Sequence, residues 1–294
     1  MVDVTVQEPS AQDARGERPS LHEWARPWET LGVSVAAGVA EVRLARADRL
    51  NALDSRTRAE LASLWPGLAA DPSVRVVIMT GEGRAFSAGA DFTELARADR
   101  VPGDGARDAR RASGDYLPSP VLEVPVLVAV NGLCLGGALR FVADADVVLA
   151  AEDAWFSDPH VSLGQTSGPC ALQLAARAGS AAVAPLVLAG AAYRMDARQA
   201  QAVGLVSEVV PGERLLERAH DLARMIAAQS PTAVRRTLAL LRRRTRAQVE
   251  DLVPDAWAAI DEMWDHPDVA EASAARAEGR SPMWADPVPA EEEA

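Results

Sequence analysis

The chain has 294 residues, 49% of them hydrophobic and 24% charged, and carries a formal net charge of -12. That length holds one large domain, or one domain with a helical appendage, and the composition is that of an ordinary globular protein. The charge argues against a nucleic-acid partner, no apolar run approaches the roughly 20 residues that span a bilayer, and the polar start carries no signal-peptide core, so a cytoplasmic protein without a membrane partner is expected.

Residues 1–20 are rich in Pro, Gln, Asp, Gly and Ser without periodicity and read as a disordered tail. Residues 33–35 and 40–44 alternate around Gly38 like the strands of a hairpin. A helix is predicted near 55–70, with Asp54 or Ser55 as N-cap and Pro66 expected to kink or shorten it. β-Branched runs predict strands near 74–80, 125–130 and 146–150, separated by helical or glycine-rich segments, which reads as repeated ββα or βαβ units without a clear sequence repeat. Residues 98–120, with Pro102, Gly103, Gly105, Gly114, Pro118 and Pro120, read as a long loop. Helices are predicted over 168–178, 180–189, 196–203, 213–229, 231–244 and 247–265, and Pro254 is expected to kink or split the last. Residues 285–294 form a second, acidic tail, so the division is 1–20, 21–210, 211–284 and 285–294.

All 30 basic residues are arginine, which excludes a lysine Schiff base and a P-loop lysine. Cys134 and Cys170 are the two cysteines and read as buried, reduced thiols. No His, Cys and Asp grouping has the spacing of a metal site. Among the histidines, His22, His220 and His266 are weak candidates for chemistry. Trp155 and Trp264 are expected to pack, and the arginines between 235 and 246 to form a solvated helix face.

Two glycine-bearing stretches carry more information. AFSAGAD at 85–91 follows the apolar run 74–80, and VNGLCLGG at 130–137 follows the run 124–130. Strand, glycine turn and helix start, given twice, can aim backbone N–H groups from two segments at one point. Such a pair stabilises a developing oxyanion.

At these points the chain resembles the crotonase (enoyl-CoA hydratase/isomerase) superfamily. RADRLNALD at 46–54, AVGLVSEVVP at 202–211 and EGRSPMW at 278–284 resemble further family landmarks in the same order. The resemblance implies an α/β fold, a ClpP-like spiral of ββα units over 21–210 with a helical oligomerisation region over 211–284. It implies an acyl-CoA substrate, with coenzyme A as part of the thioester and no permanently bound cofactor. A homotrimer or dimer of trimers joined through 231–265 is implied as well. The oxyanion donors would be the backbone N–H groups of Ala90 and Gly137, the latter opening a helix. Coenzyme A contacts would fall to Arg49, Ala88, Asp91 and Thr93, with the arginines of 106–111 near its phosphates.

The chain departs from the family where a hydratase carries two glutamates: Arg140 stands at the first position and His160 at the second. A guanidinium cannot act as a base but can hold an anion. Histidine, with an ordinary pKa of about 6.5, can give and take a proton. Three readings follow. The first is acyl-CoA processing of hydratase/isomerase type through an oxyanion or enolate, with His160 moving the proton and Arg140 as clamp. The second is hydrolytic C–C cleavage or decarboxylation of a β-dicarbonyl substrate. The third is a non-catalytic acyl-CoA binder, in which His160 is structural beside Asp158 and Arg140 pairs with Asp144.

Overall fold

The computed structural model describes residues 23–91, 94, 116–119 and 121–285. The tail 1–20 with His22, the acidic end from 286, Thr93, the arginines of 106–111 and most of the 98–120 loop lie outside the described residues.

The expected hairpin forms from β1 (Leu31–Ala36) and β2 (Val39–Leu44), antiparallel with Ala36 opposite Val39. Ala37 and Gly38 close it with positive φ angles of 50° and 81°, the pair of left-handed residues that a twisted two-residue turn demands. Parallel strands β3 (Val76–Gly81), β5 (Val126–Val130) and β7 (Val147–Ala151) extend the sheet, and β10 (Glu208–Val210) closes its far edge. Every residue of β3 and β5 is buried, as a parallel sheet covered on both faces requires.

Each of the three central strands is followed by a short one in a second sheet. β4 (Ala85–Ser87) follows β3, β6 (Leu133–Leu135) follows β5, and β8 (Trp155–Ser157) follows β7, while β9 (Met195–Asp196) completes the four-stranded order β4-β6-β8-β9. The unit is therefore a strand pair, repeated three times. Three-residue strands are too short to show an alternation, which is why the repeat is invisible in the sequence. The fold is the α/β spiral implied by the resemblance.

Helix α1 (Ser55–Ala70) starts at Asp54, whose carboxylate accepts from the Thr57 N–H at 2.8 Å. Pro66 does not shorten it: the helix runs on to Ala70. Leu61, Leu64, Trp65 and Leu68 are fully buried around the proline. At ~1.5–3 kcal/mol each, their burial exceeds the ~3 kcal/mol that an interior proline costs.

Helix α2 (Leu139–Asp144) follows the second glycine cluster, and α3 (Pro169–Ala178), α4 (Ser180–Leu188) and α5 (Ala197–Ala202) lead to β10. Then come α6 (Leu215–Ala227), α7 (Pro231–Ala247), α8 (Val253–Trp264) and α9 (Pro267–Glu278). The stretch 247–265, expected to be kinked or split at Pro254, is split: one helix ends at Ala247 and α8 starts at Val253, with Pro254 in its first turn. Helix α9 was missed, although its signals are present: His266 accepts from the Asp268 N–H at 3.3 Å, Pro267 is the first residue, and Gly279 ends it at a φ of 69°. It packs on residues 160–163, beside the candidate site.

The arginine-rich helix α7 is mostly solvated, as expected, with one correction. Arg242 turns inward, reaching both carboxylate oxygens of Asp146 at 2.9 and 2.6 Å and the carbonyls of Leu122 and Val124. Asp146 in turn accepts from the β5 N–H of Val126 at 2.7 Å, so this arginine fastens the helical region to the sheet.

Candidate active site

The loop after β4 and the loop after β6 meet face to face. Gly89 has a φ of 79°, and a Cβ there would lie 2.5 Å from the Leu135 carbonyl oxygen and 3.2 Å from the Gly137 nitrogen. No side chain fits, so the two loops touch through their backbones. A Cβ on Gly137 would lie 3.9 Å from the Ala90 nitrogen. The space left by the missing side chain of Gly137 is thus bordered by the N–H-bearing atoms of both segments. No acceptor among the described residues takes the Ala90 N–H. Gly137 lies in the 3-10 turn Gly136–Ala138 before α2, where the first N–H groups have no acceptor within the turn. Helix α2 has six residues, too few for the helix dipole expected at Gly137 to weigh much.

The only two asparagines of the chain hold this geometry. Asn51, itself at a φ of 54°, donates to the carbonyls of Glu82 and Ala85 at 2.9 and 2.8 Å and accepts from the Arg46 N–H at 2.9 Å. Asn131 donates to the carbonyls of Gly83 and Ala85 at 2.8 and 3.1 Å and accepts from the Gly81 N–H at 3.1 Å. The two amides pin the turn between β3 and β4 from opposite sides. Ser87 adds a third tie, donating to the Asn51 carbonyl at 2.8 Å and accepting from the Gly89 N–H at 3.1 Å.

A cleft of about 550 Å³ opens from this point, lined by Ala88, Ala90, Asp91, Leu135 and Pro159 within and by Arg49, Arg276 and Arg280 among its outer residues. Three expected coenzyme A contacts, Arg49, Ala88 and Asp91, therefore share one cavity. Arg46 shapes it, bonding Asp91 at 3.1 Å and Asp54 at 3.0 Å.

His160 stands behind Gly136, its Cε1 3.8 Å from where a Cβ on that glycine would be. Asp158, wholly buried, accepts short hydrogen bonds from His160 Nδ1 and the Ser167 hydroxyl, and one from the His160 backbone N–H at 3.2 Å. Burial alone would raise its pKa, but the bonds from His160 and Ser167 outweigh that and hold it below the ordinary carboxylate value. A carboxylate can only accept, so Nδ1 carries the proton and Nε2 is left as the basic nitrogen.

Arg140 does not pair with Asp144 one turn on, because Asp144 accepts from the Ser119 N–H at 3.0 Å instead. Burial raises the Asp144 carboxyl to about 6, against smaller opposing effects of that bond and of Arg242. Arg140 reaches the Tyr116 hydroxyl at 3.4 Å and lies 5.3 Å from the tyrosine ring centroid, and its buried Nε has no hydrogen-bond partner. Tyr116 was not legible as a site residue: it comes from a polar loop with no periodicity. Cys134 and Cys170 are buried with their thiols pushed well up, chiefly by that burial, so neither is a nucleophile. His220 pairs with Glu41 of β2 at 2.6 Å, and Trp155 lies under Arg194 at 4.3 Å. Among the described residues no grouping can hold a metal ion, and no helix is long and apolar enough to cross a membrane.

Comparison with known proteins gives the family and the fold. The family model for enoyl-CoA hydratase/isomerase matches residues 34–287. A probable enoyl-CoA hydratase of Mycobacterium bovis is 36% identical over 209 residues, which is 71% of this chain and 79% of the relative. A (7aS)-7a-methyl-1,5-dioxo-2,3,5,6,7,7a-hexahydro-1H-indene-carboxyl-CoA hydrolase of Rhodococcus jostii is 37% identical over 192 residues, covering 63% of this chain and 70% of the relative. The crystal structure of an enoyl-CoA hydratase/isomerase from Pseudoalteromonas atlantica superposes with a TM-score of 0.77 at 27% identity, over 87% of this chain and all of that one. With this match over most of its length and the same strand-pair spiral, the chain belongs to the enoyl-CoA hydratase/isomerase family of the crotonase superfamily, whose enzymes process acyl-CoA thioesters.

Proposed function

We propose that this enzyme carries an acyl-CoA thioester through an enolate, with the thioester oxygen held by the backbone N–H groups of Ala90 and Gly137 and His160 as the proton-transfer group. The observation that carries this reading is the hollow over Gly137, 3.9 Å from the nitrogen of Ala90, a residue that also lines the cleft. Donors placed in advance at the site of developing charge lower the barrier without reorganising. His160 takes the proton on Nε2, and the ionised Asp158 behind Nδ1 holds the ring and stabilises the imidazolium that forms. One base that takes and returns a proton suits enolate chemistry. Hydration through two glutamates is not available, since positions 140 and 160 hold arginine and histidine.

Coenzyme A runs, on this reading, along Ala88 and Asp91 to Arg49 at the cleft mouth. Assembly as a trimer or dimer of trimers fits the exposed Leu240 and Leu241 of α7, 68% and 60% accessible in the single chain. Arg140 favours a second reading, hydrolytic C–C cleavage or decarboxylation of a β-dicarbonyl substrate, and the Rhodococcus jostii relative is a hydrolase of a dioxo carboxyl-CoA.

The test is exchange of the acyl α-protons of butyryl-CoA in deuterium oxide, followed by mass spectrometry. Exchange that falls by a factor of about 10² or more in His160→Ala supports the base, since general-base catalysis contributes ~10²–10⁴. No exchange in the wild type, with butyryl-CoA still raising the melting temperature, leaves a binding protein and refutes the proposal.

A further inference from the structure

The hollow over Gly137 has a second wall. The same missing Cβ that lies 3.9 Å from the Ala90 nitrogen lies 4.0 Å from the Tyr116 hydroxyl oxygen. That hydroxyl is firmly placed. The tyrosine is 5% exposed, its ring packs edge-on against Phe141 with centroids 5.5 Å apart, and its carbonyl accepts from the Trp65 indole N–H at 2.8 Å. Arg140 donates to the hydroxyl oxygen at 3.4 Å, so the O–H proton remains free to point outward. Among the described residues no carboxylate forms an ion pair with Arg140, and its Nε is buried without an acceptor. Asp144 acts on Arg140 only through its charge, without a close pair. A buried donor left unsatisfied is costly, and a strongly accepting ligand removes that cost.

We infer that Tyr116 and Arg140 form a second oxygen receptor beside the thioester hollow, and that the substrate is an acyl-CoA bearing a carbonyl or carboxylate oxygen on acyl carbon 3. This rests on the thioester oxygen occupying the Ala90–Gly137 hollow, as proposed above. With the carbon 1 oxygen there, an oxygen on carbon 3 lies beside it in the planar form of a 1,3-dicarbonyl, against the tyrosine wall. A saturated or 2-enoyl chain offers that wall only hydrocarbon and leaves the hydroxyl unsatisfied. Where carbon 3 carries a ketone and His160 removes a proton from carbon 2, the electron pair spreads over both oxygens, whereas a carboxylate there is held as an anion. The backbone pair takes one and Tyr116 with Arg140 takes the other.

The experiment compares calorimetric affinities of butyryl-CoA, 3-oxobutyryl-CoA and malonyl-CoA in the His160→Ala protein, where no turnover intervenes. The expected result is that at least one of the two oxygen-bearing ligands binds about tenfold or more tighter than butyryl-CoA. That preference should shrink to within about twofold when Tyr116→Phe or Arg140→Gln is added. A preference for 3-oxobutyryl-CoA alone assigns a ketone, and one for malonyl-CoA alone a carboxylate. Equal affinities for all three ligands, or a preference that survives both substitutions, overturns the inference. Butyryl-CoA exchange in the wild type stays a separate readout. Exchange without an oxygen preference removes only the second receptor, and a preference without exchange removes only the proton transfer by His160.

Discussion

Gly89→Ala separates the backbone demands of this site from ordinary turn geometry. The alanine pays twice. Its φ of 79° is a left-handed conformation that costs an L-residue ~1–2 kcal/mol, and its Cβ would stand 2.5 Å from the Leu135 carbonyl oxygen. Relieving that contact pushes the Ala88–Ala90 loop off Leu135 by several tenths of an ångström, which as core overpacking costs about 1–3 kcal/mol more. The same movement carries the Ala90 N–H away from the hollow, and loss of one such donor lowers kcat by a factor of ~10²–10³. Gly204→Ala is the control, because its φ is 85° but a Cβ there meets nothing within 4 Å. Urea denaturation of both variants, with the exchange assay alongside, should show about 1–2 kcal/mol lost in Gly204→Ala with exchange intact. Gly89→Ala should lose roughly twice as much stability and most of its exchange. A folded Gly89→Ala that exchanges within about threefold of wild type would refute the oxyanion assignment.

Three further substitutions test other parts of the structure. Asp158→Asn should lower exchange about 10²-fold or more while the fold survives, because the amide keeps the shape but not the charge behind His160. Asp158 also gives an acid signature: its folded pKa lies below 3.8, so its stabilisation is present above that value and lost as pH falls further, a loss the asparagine variant should lack in acid titration. Asp144 has the opposite sign. Its carboxyl is raised from 3.8 to about 6, so the folded state holds the proton more tightly and stability falls as pH rises through that window. Asp144→Asn should therefore gain melting temperature relative to wild type at pH 8 and little at pH 4, with a ceiling of ~3 kcal/mol, and an equal effect at both pH values contradicts the burial argument. Arg242→Met should cost about 3–5 kcal/mol in urea denaturation, since Asp146, 13% exposed, is left without its bidentate partner.

What the sequence disclosed follows from how local the cause is. The loops at 85–91 and 130–137 were legible because their glycines answer a backbone requirement written in consecutive residues. Asp54 announced α1 for the same reason. Prolines were read less evenly. Pro66 is outweighed by the apolar face around it, whereas the split at Pro254 came as expected, two outcomes that depend on packing and on where the neighbouring helix stops. The weight of Asn51 and Asn131 was hidden, since an asparagine in a turn motif does not reveal that both amides reach the same carbonyl of Ala85. Tyr116 lies farthest from legibility. It reaches the hollow over Gly137 from a different segment, and only Trp65 and Phe141, distant in sequence, fix where its hydroxyl points.

The two departures at 140 and 160 belong together electrostatically. Two glutamates at these positions would surround the reacting carbons with acceptors and negative charge, which suits a water that must be oriented and deprotonated. Arginine and histidine replace that with one cation and one proton-transfer group, and the buried carboxylate of Asp158 is turned toward the histidine and the Ser167 hydroxyl. In the proposed mechanism, negative charge spreading from the thioester oxygen meets N–H groups on one side and the Tyr116–Arg140 pair on the other. A preorganised donor set of this kind stabilises an extended enolate more than a localised one, because each added oxygen finds its own donor. On the proposed reading, the backbone at 90 and 137 fixes where the thioester sits, and the side chains at 116, 140 and 160 decide which anion it can become.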